Sequence, residues 1–417
     1  MRQRVAAIAV AGGLMLVAGC QGGDDSSGQA DGSPTPTTVA PAAQLALSPT
    51  DGTADVSPTT PVQLSVTDGT LGEVSVTDAA GTVVEGTVAE AAPAAAPAAA
   101  TSGAPESSPA PAAADATSVW TPAAPLAYGT TYTLTAEATN AEDDATSATT
   151  TFTTVAPGTL STPSIGPLDG TTVGVGMPIR VYFDQPVTDR AAVESHLAVT
   201  SSTPTDGRWS WMNDSEVHFR PSTYWPANSE VTLDADLYGV DMGGGVWGEK
   251  DRSVSFAVGS KHVSVADAGT HTLTVYADDQ VVQTYPMSAG GPENPTRNGP
   301  HVVLEKRADI TMDSSTFGLA VDAPGGYRTD VQFATRISNN GEFVHAAPWS
   351  VGQQGSSNVS HGCINLSTDR AQWFFDFSQP GDVVEVVNSA GPTLSSVDGD
   401  IYDWAIPWDQ WVAGSAL

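Results

Sequence analysis

Cys363 lies in the string SHGCIN at residues 360–365, and another histidine, His345, stands upstream on a predicted strand end. The thiolate is the reactive form of cysteine, and it needs a base or a positive neighbour to form at neutral pH. A cysteine with two histidines nearby is therefore a candidate nucleophilic site. The alternative is a buried structural cysteine beside a core histidine.

Amide chemistry needs a nucleophile, a base that activates it and donors for the oxyanion. Cys363 supplies the nucleophile, and His345 is the predicted base because a residue at a strand end can face the thiol across the site. His361 stands too close to the cysteine along the chain to reach it easily. Gly362 permits close backbone approach, so the amides of Gly362 and Cys363 can form an oxyanion hole.

A metal site is the other chemistry that these residue types allow. His345, His361 and Cys363 supply three zinc ligands, but a structural zinc site needs four and the sequence offers no obvious fourth. The loop that begins at Asp241 offers one carboxylate plus backbone carbonyls, which is a poor calcium cage. We therefore predict a glycine turn at Asp241 and neither a metal nor a cofactor.

The wider sequence around the cysteine resembles a known family. His345, the SHGCIN string and the stretches 326–330, 343–350 and 406–411 resemble the L,D-transpeptidases of mycobacterial type, which carry a YkuD catalytic domain. The resemblance covers roughly residues 160–417. It implies a mainly β fold, with Ig-like β-sandwich domains before a β-rich catalytic domain that contains a short helix.

The resemblance also implies roles for particular residues. In the family the matching positions make Cys363 the nucleophile and His345 the general base and acid, with the backbone carbonyl of Ser360 orienting the imidazole. Further positions match substrate contacts in the family, although packing alone would also explain them: Met312, Tyr327, Asn340, Gly341, His361 and Asn365. Ala346 departs from close relatives, which often carry serine there.

The implied reaction is a transfer between peptidoglycan stem peptides. Cys363 attacks the carbonyl that joins the third stem residue to the terminal D-Ala, D-Ala leaves, and a neighbouring stem amine captures the acyl group. Carbapenems should acylate the same cysteine. Alternatives are an L,D-carboxypeptidase that uses water, a transferase that anchors proteins to the wall, and a non-catalytic wall-binding scaffold lipoprotein.

Composition limits the other functional classes. The 417-residue chain has a formal net charge of −32, which argues against nucleic-acid partners because little would neutralise phosphates. Charged residues make up only 15% of the chain, beside 41 glycines and 30 prolines, a composition that suits β-sandwiches joined by flexible segments.

The N-terminus reads as a bacterial lipoprotein signal over residues 1–20. Arg2 and Arg4 precede a short apolar run, and the run ends in a lipobox whose Cys20 would be acylated. Residues 21–43 are predicted to be a disordered tether. The mature protein would then be anchored to the outer face of the cytoplasmic membrane and reach into the cell wall.

Two predicted Ig-like modules follow, at residues 44–157 and 158–258. Short alternating runs are separated by turn residues, and similar turn motifs recur in both modules, which indicates repeated sandwiches. Residues 88–118 are rich in Ala and Pro and are predicted to be a disordered insertion, with a Pro-rich interaction motif as the alternative. Trp209 and Trp211 are predicted to pack in a core rather than to stack on sugars.

The predicted catalytic domain spans residues 259–380. It should contain a hairpin over 272–285, strands near 302, 331 and 343, and a helix after Ser367 whose apolar residues share one face. Residues 381–417 are predicted to form a strand and a Trp-rich packing segment. The resemblance implies that this segment clamps the catalytic domain to its neighbour, and a ligand platform is the alternative.

Overall fold

The structure is a computed structural model that describes residues 40–91, 116–317, 320–399 and 401–417. The predicted signal with Cys20, most of the tether and most of the insertion lie outside these residues. The predicted tether ends too late, because Ala43 is already buried in a small cluster with Val66 and Ala138. No helix in the described ranges is long and apolar enough to cross a membrane.

The first module is a sandwich of two sheets, with strand orders β1-β3-β6-β5 and β2-β8-β7-β4. Its strands bury every second residue, as Val62, Leu64 and Val66 show on β3. Glu90 pairs with Ser118, so the ends of the predicted insertion are strand, and the bounds 88–118 were too wide. The strands are β1 (Gln44–Ser48), β2 (Thr53–Val56), β3 (Val62–Thr67), β4 (Thr70–Asp78), β5 (Gly86–Glu90), β6 (Ala116–Pro122), β7 (Thr131–Thr139) and β8 (Ala145–Thr154).

The second module repeats this architecture with sheets ordered β10-β12-β15-β14 and β11-β19-β16-β13, plus a small sheet β17-β18-β9. Trp209 and Trp211 are buried in its core, as predicted. Its elements are β9 (Thr159–Ser161), β10 (Ser164–Gly166), β11 (Thr172–Val173), β12 (Ile179–Tyr182), α1 (Arg190–Glu194), β13 (Leu197–Ser201), β14 (Gly207–Asn213), β15 (Glu216–Pro221), β16 (Glu230–Ala235), β17 (Asp241–Gly243), β18 (Val246–Gly248) and β19 (Arg252–Val258). The Asp241 carboxylate accepts the N–H of Gly243, so this loop is a glycine turn.

The third module packs two sheets around helix α2 (Thr368–Phe377), with strand orders β22-β21-β20-β28-β23 and β24-β25-β26-β27. The predicted hairpin forms between β21 and β22, and its turn places Asp278 and Asp279 at positive φ. Ala371 and Phe374 bury the apolar face of α2. The strands are β20 (His262–Asp267), β21 (Thr272–Ala277), β22 (Gln280–Pro286), β23 (Gly299–Val302), β24 (Glu305–Asp313), β25 (Arg328–Arg336), β26 (Phe343–Ala346), β27 (Ile364–Leu366) and β28 (Val383–Val387).

The strand β28 corrects the predicted boundary at residue 380. It lies between β20 and β23, parallel to the first and antiparallel to the second, so it is an inner strand of the third module's sheet. Four of its five residues are valines, as a strand covered on both faces requires. The order of the elements along the chain does not reveal this position, because β28 follows α2 but pairs with strands that come much earlier in the sequence.

The C-terminal segment, which contains α3 (Trp408–Val412), packs on both the second and the third module. Trp411 is fully buried, and its indole N–H donates to the carbonyl of Arg208 at 2.9 Å. The Trp404 indole donates to the carbonyl of Gly176 at 2.7 Å. On the third module, the Nε of Arg297 donates to Asp398 at 2.7 Å. The segment therefore contacts both modules, as a clamp would require.

Candidate active site

Two neighbouring strands position the cysteine and the predicted base. β26 and β27 run parallel, with Val344 opposite Ile364 and His345 opposite Asn365. Because alternate residues of a strand share one face, His345 and Asn365 project to the same side of this sheet as Cys363, which directly precedes β27. The parallel pairing thereby brings His345, Cys363 and Asn365 together on one face at the edge of the sheet.

This side of the sheet opens into a cavity of 320 Å³. Its walls contain most of the predicted site residues, together with several that the sequence did not single out. The predicted residues are Met312, Tyr327, His345, Ser360, His361, Cys363 and Asn365, and the others are Thr329, Val331, Trp349 and Val359.

The orientation of His345 differs from the prediction. Its Nδ1 lies 2.8 Å from the carbonyl oxygen of Ala346, whereas the carbonyl of Ser360 accepts the N–H of Gly291 at 2.8 Å. The carbonyl at the Nδ1 of His345 is thus that of Ala346, and the described residues show no hydrogen bond between His345 and the predicted orienting carbonyl of Ser360. With Nδ1 donating to Ala346, Nε2 is left as the acceptor nitrogen.

The loop before Cys363 is held by its own hydrogen bonds. The Ser360 hydroxyl donates to the carbonyl of Cys363 and accepts the N–H of Gly362 at 3.1 Å, while buried Thr296 donates to the Gly362 carbonyl at 2.8 Å. Gly362 has φ +120°, a conformation that favours glycine. Its amide is thus engaged by Ser360, which contradicts its predicted availability for an oxyanion and leaves the amide of Cys363 as the remaining candidate.

The cysteine sulfur sits among backbone groups of the preceding turn. Sγ lies 3.6 Å from the carbonyl oxygen of Gly341, and the N–H of Phe343 donates towards it. Burial raises the pKa of the Cys363 thiol to about 12, and burial likewise lowers the pKa of His345 to about 4. The resting site therefore holds a neutral thiol and a neutral imidazole, and the imidazole is in the form that can accept a proton.

A second cavity of 290 Å³ lies on the other side of His361. It is lined by the remaining predicted residues, Asn340 and Gly341, and it shares Tyr327 and His361 with the first cavity. The rings of Tyr327 and His361 are 5.1 Å apart and form the wall between the two spaces. Exposed His361 thus borders both cavities and is not buried with Cys363.

Sequence reasoning missed residues that shape the site. Trp349 is 57% exposed, lines the first cavity and lies 6.1 Å from the His345 ring, and a large exposed aromatic beside a histidine was a signal available in the sequence. Buried Ser350 accepts a hydrogen bond from Asn365 at 3.1 Å. Neither Ser350 nor Thr296 carries a local sequence signal, because each acts through a partner distant in the chain.

The described residues show no convergence of metal ligands. Within residues 40–91, 116–317, 320–399 and 401–417, no group of three His, Cys, Asp or Glu side chains is placed to hold an ion. The ring of His361 faces Tyr327, and the Nδ1 of His345 faces a carbonyl. The arrangement fits a thiol and a base better than it fits the zinc alternative.

Comparison with known proteins adds independent information. The family model for the L,D-transpeptidase catalytic domain matches residues 261–386, and the model for a bacterial Ig domain matches residues 53–100 and 103–241. A solved structure of an LD transpeptidase in complex with imipenem is 38% identical, covers 54% of this chain and 97% of that chain, and has a TM-score of 0.48.

Two curated relatives from Mycobacterium tuberculosis match over longer stretches. L,D-transpeptidase 2 is 45% identical over 297 residues, covering 71% of this chain and 72% of the relative. L,D-transpeptidase 5 is 42% identical over 307 residues, covering 72% of this chain and 66% of the relative. The match to the catalytic-domain model includes the cysteine loop and the parallel strand pair, and the chain belongs to the L,D-transpeptidase family.

Proposed function

We propose that this L,D-transpeptidase cross-links peptidoglycan stem peptides, with Cys363 as nucleophile and His345 as the proton carrier. The observation that carries the proposal is the single cavity that both side chains line, with the Nδ1 of His345 held by Ala346. That hydrogen bond fixes the ring so that Nε2 can exchange protons within the cavity.

The first half-reaction forms a thioester. The Sγ of Cys363 attacks the carbonyl carbon between the third stem residue and D-Ala while the thiol proton passes to Nε2 of His345. The oxyanion is stabilised by the amide of Cys363, since that of Gly362 is engaged by Ser360. The C–N bond then breaks, and the amine of D-Ala leaves with the proton from His345.

The second half-reaction transfers the acyl group. The side-chain amine of a neighbouring stem attacks the thioester carbon and gives a proton to His345. The C–S bond breaks, and the thiolate takes that proton back. The product is a peptide bond between two third residues, and the sulfur and the imidazole return to their neutral resting forms.

The test is an intact-mass measurement on the full chain after exposure to a carbapenem. We expect a covalent adduct on the wild type and none on Cys363→Ala. Failure of a folded wild-type chain to form any adduct would remove the support for an activated cysteine. Tyr327 and His361 border the cavity that the inhibitor would enter.

Product analysis identifies the acceptor. Incubation with a disaccharide tetrapeptide should give cross-linked dimers and free D-Ala. Release of D-Ala with only trimmed monomers would instead make the protein an L,D-carboxypeptidase. Transfer to a protein amine would appear as a peptidoglycan fragment on an added acceptor protein.

We also propose that the protein acts outside the cytoplasm, anchored to the membrane by lipid on Cys20. The support is the charged start, short apolar run and terminal cysteine of residues 1–20. Labelling with a palmitate analogue should mark the wild type, and Cys20→Ala should lose both the label and membrane association. A labelled Cys20→Ala protein, or an unlabelled wild type, would contradict the anchor.

A further inference from the structure

A buried histidine–glutamate pair lies beneath the cysteine loop and has no part in the reaction described above. His301 on β23 is fully buried, and Glu342, which directly precedes β26, is 5% exposed. The Nε2 of His301 lies 3.0 Å from Oε2 of Glu342. Sequence pattern did not indicate this pair, because its members belong to different sheets of the third module.

The hydrogen bonds of the pair fix its proton content. The Nδ1 of His301 lies 2.9 Å from the carbonyl oxygen of Gly299, which can only accept, so Nδ1 carries a proton. Nε2 faces a carboxylate, and a second proton must lie between the two. The other carboxylate oxygen of Glu342 accepts the backbone N–H of Arg297 at 2.8 Å. The pair thus shares one proton between Nε2 and Oε2 and carries no net charge.

Glu342 is close to the reacting atoms. Its neighbours in the chain, Gly341 and Phe343, are the residues whose backbone groups contact the Cys363 sulfur. A Cβ built on Gly362 would lie 3.7 Å from Cγ of Glu342 and 3.9 Å from its Oε1. An uncompensated carboxylate at this position would oppose the negative charge that develops on the sulfur and on the oxyanion.

We propose that His301 is a positioning residue for acyl transfer. It neutralises Glu342 and thereby fixes the turn 338–343 against the Cys363 sulfur. This inference rests on the proposed function of Cys363 as the nucleophile. Removing the proton of His301 would leave a buried negative charge under the cysteine loop, and removing both charges together would restore electrical neutrality there.

The other charged groups around the sulfur do not take over this task. The Nε of Arg336 donates to Glu305 at 3.0 Å, so that guanidinium is already paired with a carboxylate. The Nε of Arg297 is bound by Asp398 at 2.7 Å, so that guanidinium is already compensated. Tyr327 and His345 line the same cavity as the thiol, and neither carries a charge that would cancel a carboxylate.

The test compares His301→Gln, Glu342→Gln and the double variant in the full chain. The readout is the rate at which iodoacetamide alkylates Cys363 at pH 7.5, followed by site-resolved mass spectrometry so that Cys20 does not interfere. We expect His301→Gln to slow alkylation about tenfold, Glu342→Gln to leave it equal or faster, and the double variant to return near the wild-type rate.

The direction of the rate change in each variant distinguishes charge compensation by His301 from a role in packing alone. If the pair only supported the fold, each variant would slow alkylation and the double variant would be slowest, and that result would overturn the proposal. If His301→Gln does not fold, slower alkylation in folded Glu342→Gln would overturn it equally. His218→Gln is the matched control, since it removes another fully buried, acid-paired histidine on the second module and should not change the alkylation rate.

Alkylation does not require stem peptides, so the outcome is independent of the cross-linking assay. If the wild type cross-links stem peptides but every variant slows alkylation, only the proposed role of His301 is refuted. If His301→Gln slows alkylation and the double variant recovers, but the wild type forms no dimers, the proposed acceptor chemistry is refuted and the charge pairing stands.

Discussion

The two reacting side chains rest in their neutral forms because both are almost completely buried. Cys363 is 7% exposed and His345 is 4% exposed, and burial shifts their pKa values away from each other. A standing thiolate–imidazolium pair is therefore disfavoured. The proton moves to His345 only when substrate brings an electrophilic carbon to the sulfur.

This arrangement predicts an unusual pH profile for carbapenem acylation. The rate should rise as pH increases through about 4, because His345 becomes neutral there, and should then stay flat to about pH 9, because the thiol keeps its proton. Stopped-flow acylation of the full chain from pH 4 to 9 measures this. A rate that climbs steeply between pH 7 and 9 would indicate an ordinary thiol pKa instead.

The orientation of His345 by a backbone carbonyl predicts tolerance at position 346. Ala346→Ser keeps the carbonyl that accepts from His345, so the acylation rate should stay within about threefold of the wild type. The new hydroxyl enters an apolar cluster beside Phe374, so stability should fall by about 1 kcal/mol. Acylation kinetics and thermal unfolding check both parts, and a tenfold loss of rate would show that the side chain matters.

At the residue scale the sequence revealed the reacting groups but not what holds them. Cys363 and His345 are identifiable by type and by motif. The partner of His345 is a carbonyl, which every residue possesses, and so no residue type distinguishes Ala346 from Ser360. The pair His301–Glu342 escaped notice because only the tertiary fold brings two strands of different sheets together.

At the scale of elements, the C-terminal segment forms a polar and aromatic lock on β15. The Arg220 guanidinium lies 4.6–5.1 Å from the rings of Trp404, Trp408 and Trp411. The buried His218 ring is bound by Asp403 at 2.7 Å and by Glu216 at 2.8 Å. The family resemblance implied a clamp here, whereas Arg220 and His218 lie on a strand whose sequence gives no sign of this role.

Replacement of Arg220 should loosen this lock. Arg220→Met removes the cation from three aromatic faces and the donor to the carbonyl of Ile406. We therefore expect the free energy of unfolding to fall by about 2 kcal/mol or more. Arg220→Lys should recover only part of it, because an ammonium lacks the planar face. Thermal unfolding of both variants tests this, and equal melting temperatures for Arg220→Lys and the wild type would contradict the stacking account.

The His218 site predicts a decline in stability at alkaline pH. The carboxylates of Asp403 and Glu216 outweigh burial and raise the pKa of His218 from 6.5 to about 9. The stabilisation is therefore complete below about pH 6.5 and is lost as pH rises through about 9, amounting to about 3 kcal/mol. In denaturant unfolding, the difference in unfolding free energy between the wild type and His218→Gln should narrow over this pH range. A difference that stays constant would refute the link between His218 protonation and stability.

At the scale of the whole molecule, the second and third modules share one hydrophobic core. Val302 and Val383 of the third module belong to the same buried cluster as the core of the second. The N–H of Gly174 donates to the carbonyl of Pro380, and that of Gly176 to the carbonyl of Gly381, each at 2.8 Å. The first module keeps a separate core and meets the second through contacts such as Tyr128 on Tyr238.

The close approach at Gly174 predicts that the two modules lose stability together. A Cβ on Gly174 would lie 2.2 Å from the backbone nitrogen of Asp382, so Gly174→Ala must separate the modules or distort both. We expect a drop of several degrees in a shared melting transition and slower acylation at Cys363. Gly158→Ala is the control, because a Cβ there meets nothing within 4 Å. Unchanged melting of Gly174→Ala would mean that the interface is not rigid.

The sequence predicted the order of the modules better than their connections. Alternation and turn residues are local, so the sandwiches and the hairpin at Asp278 follow from short segments. The inner position of β28 and the shared core depend on contacts between segments far apart in the chain. The β-rich fold class was accordingly predictable, while the boundary at 380 was not.

The return of the last residues to the second module also bears on how a nascent chain matures. The N–H of Ala416 donates to buried Glu194 at 2.8 Å, and Trp211 donates to the carbonyl of Gly414 at 2.9 Å. A ribosome delivers α1 and β14 long before it delivers these partners. Until residues 414–416 have been synthesised, Glu194 has, among the described residues, only the indole N–H of Trp211 as a side-chain donor, and the second module lacks these last contacts. A chain interrupted before residue 414 would leave the second module incompletely packed, so we expect such a truncated product to be more sensitive to proteolysis.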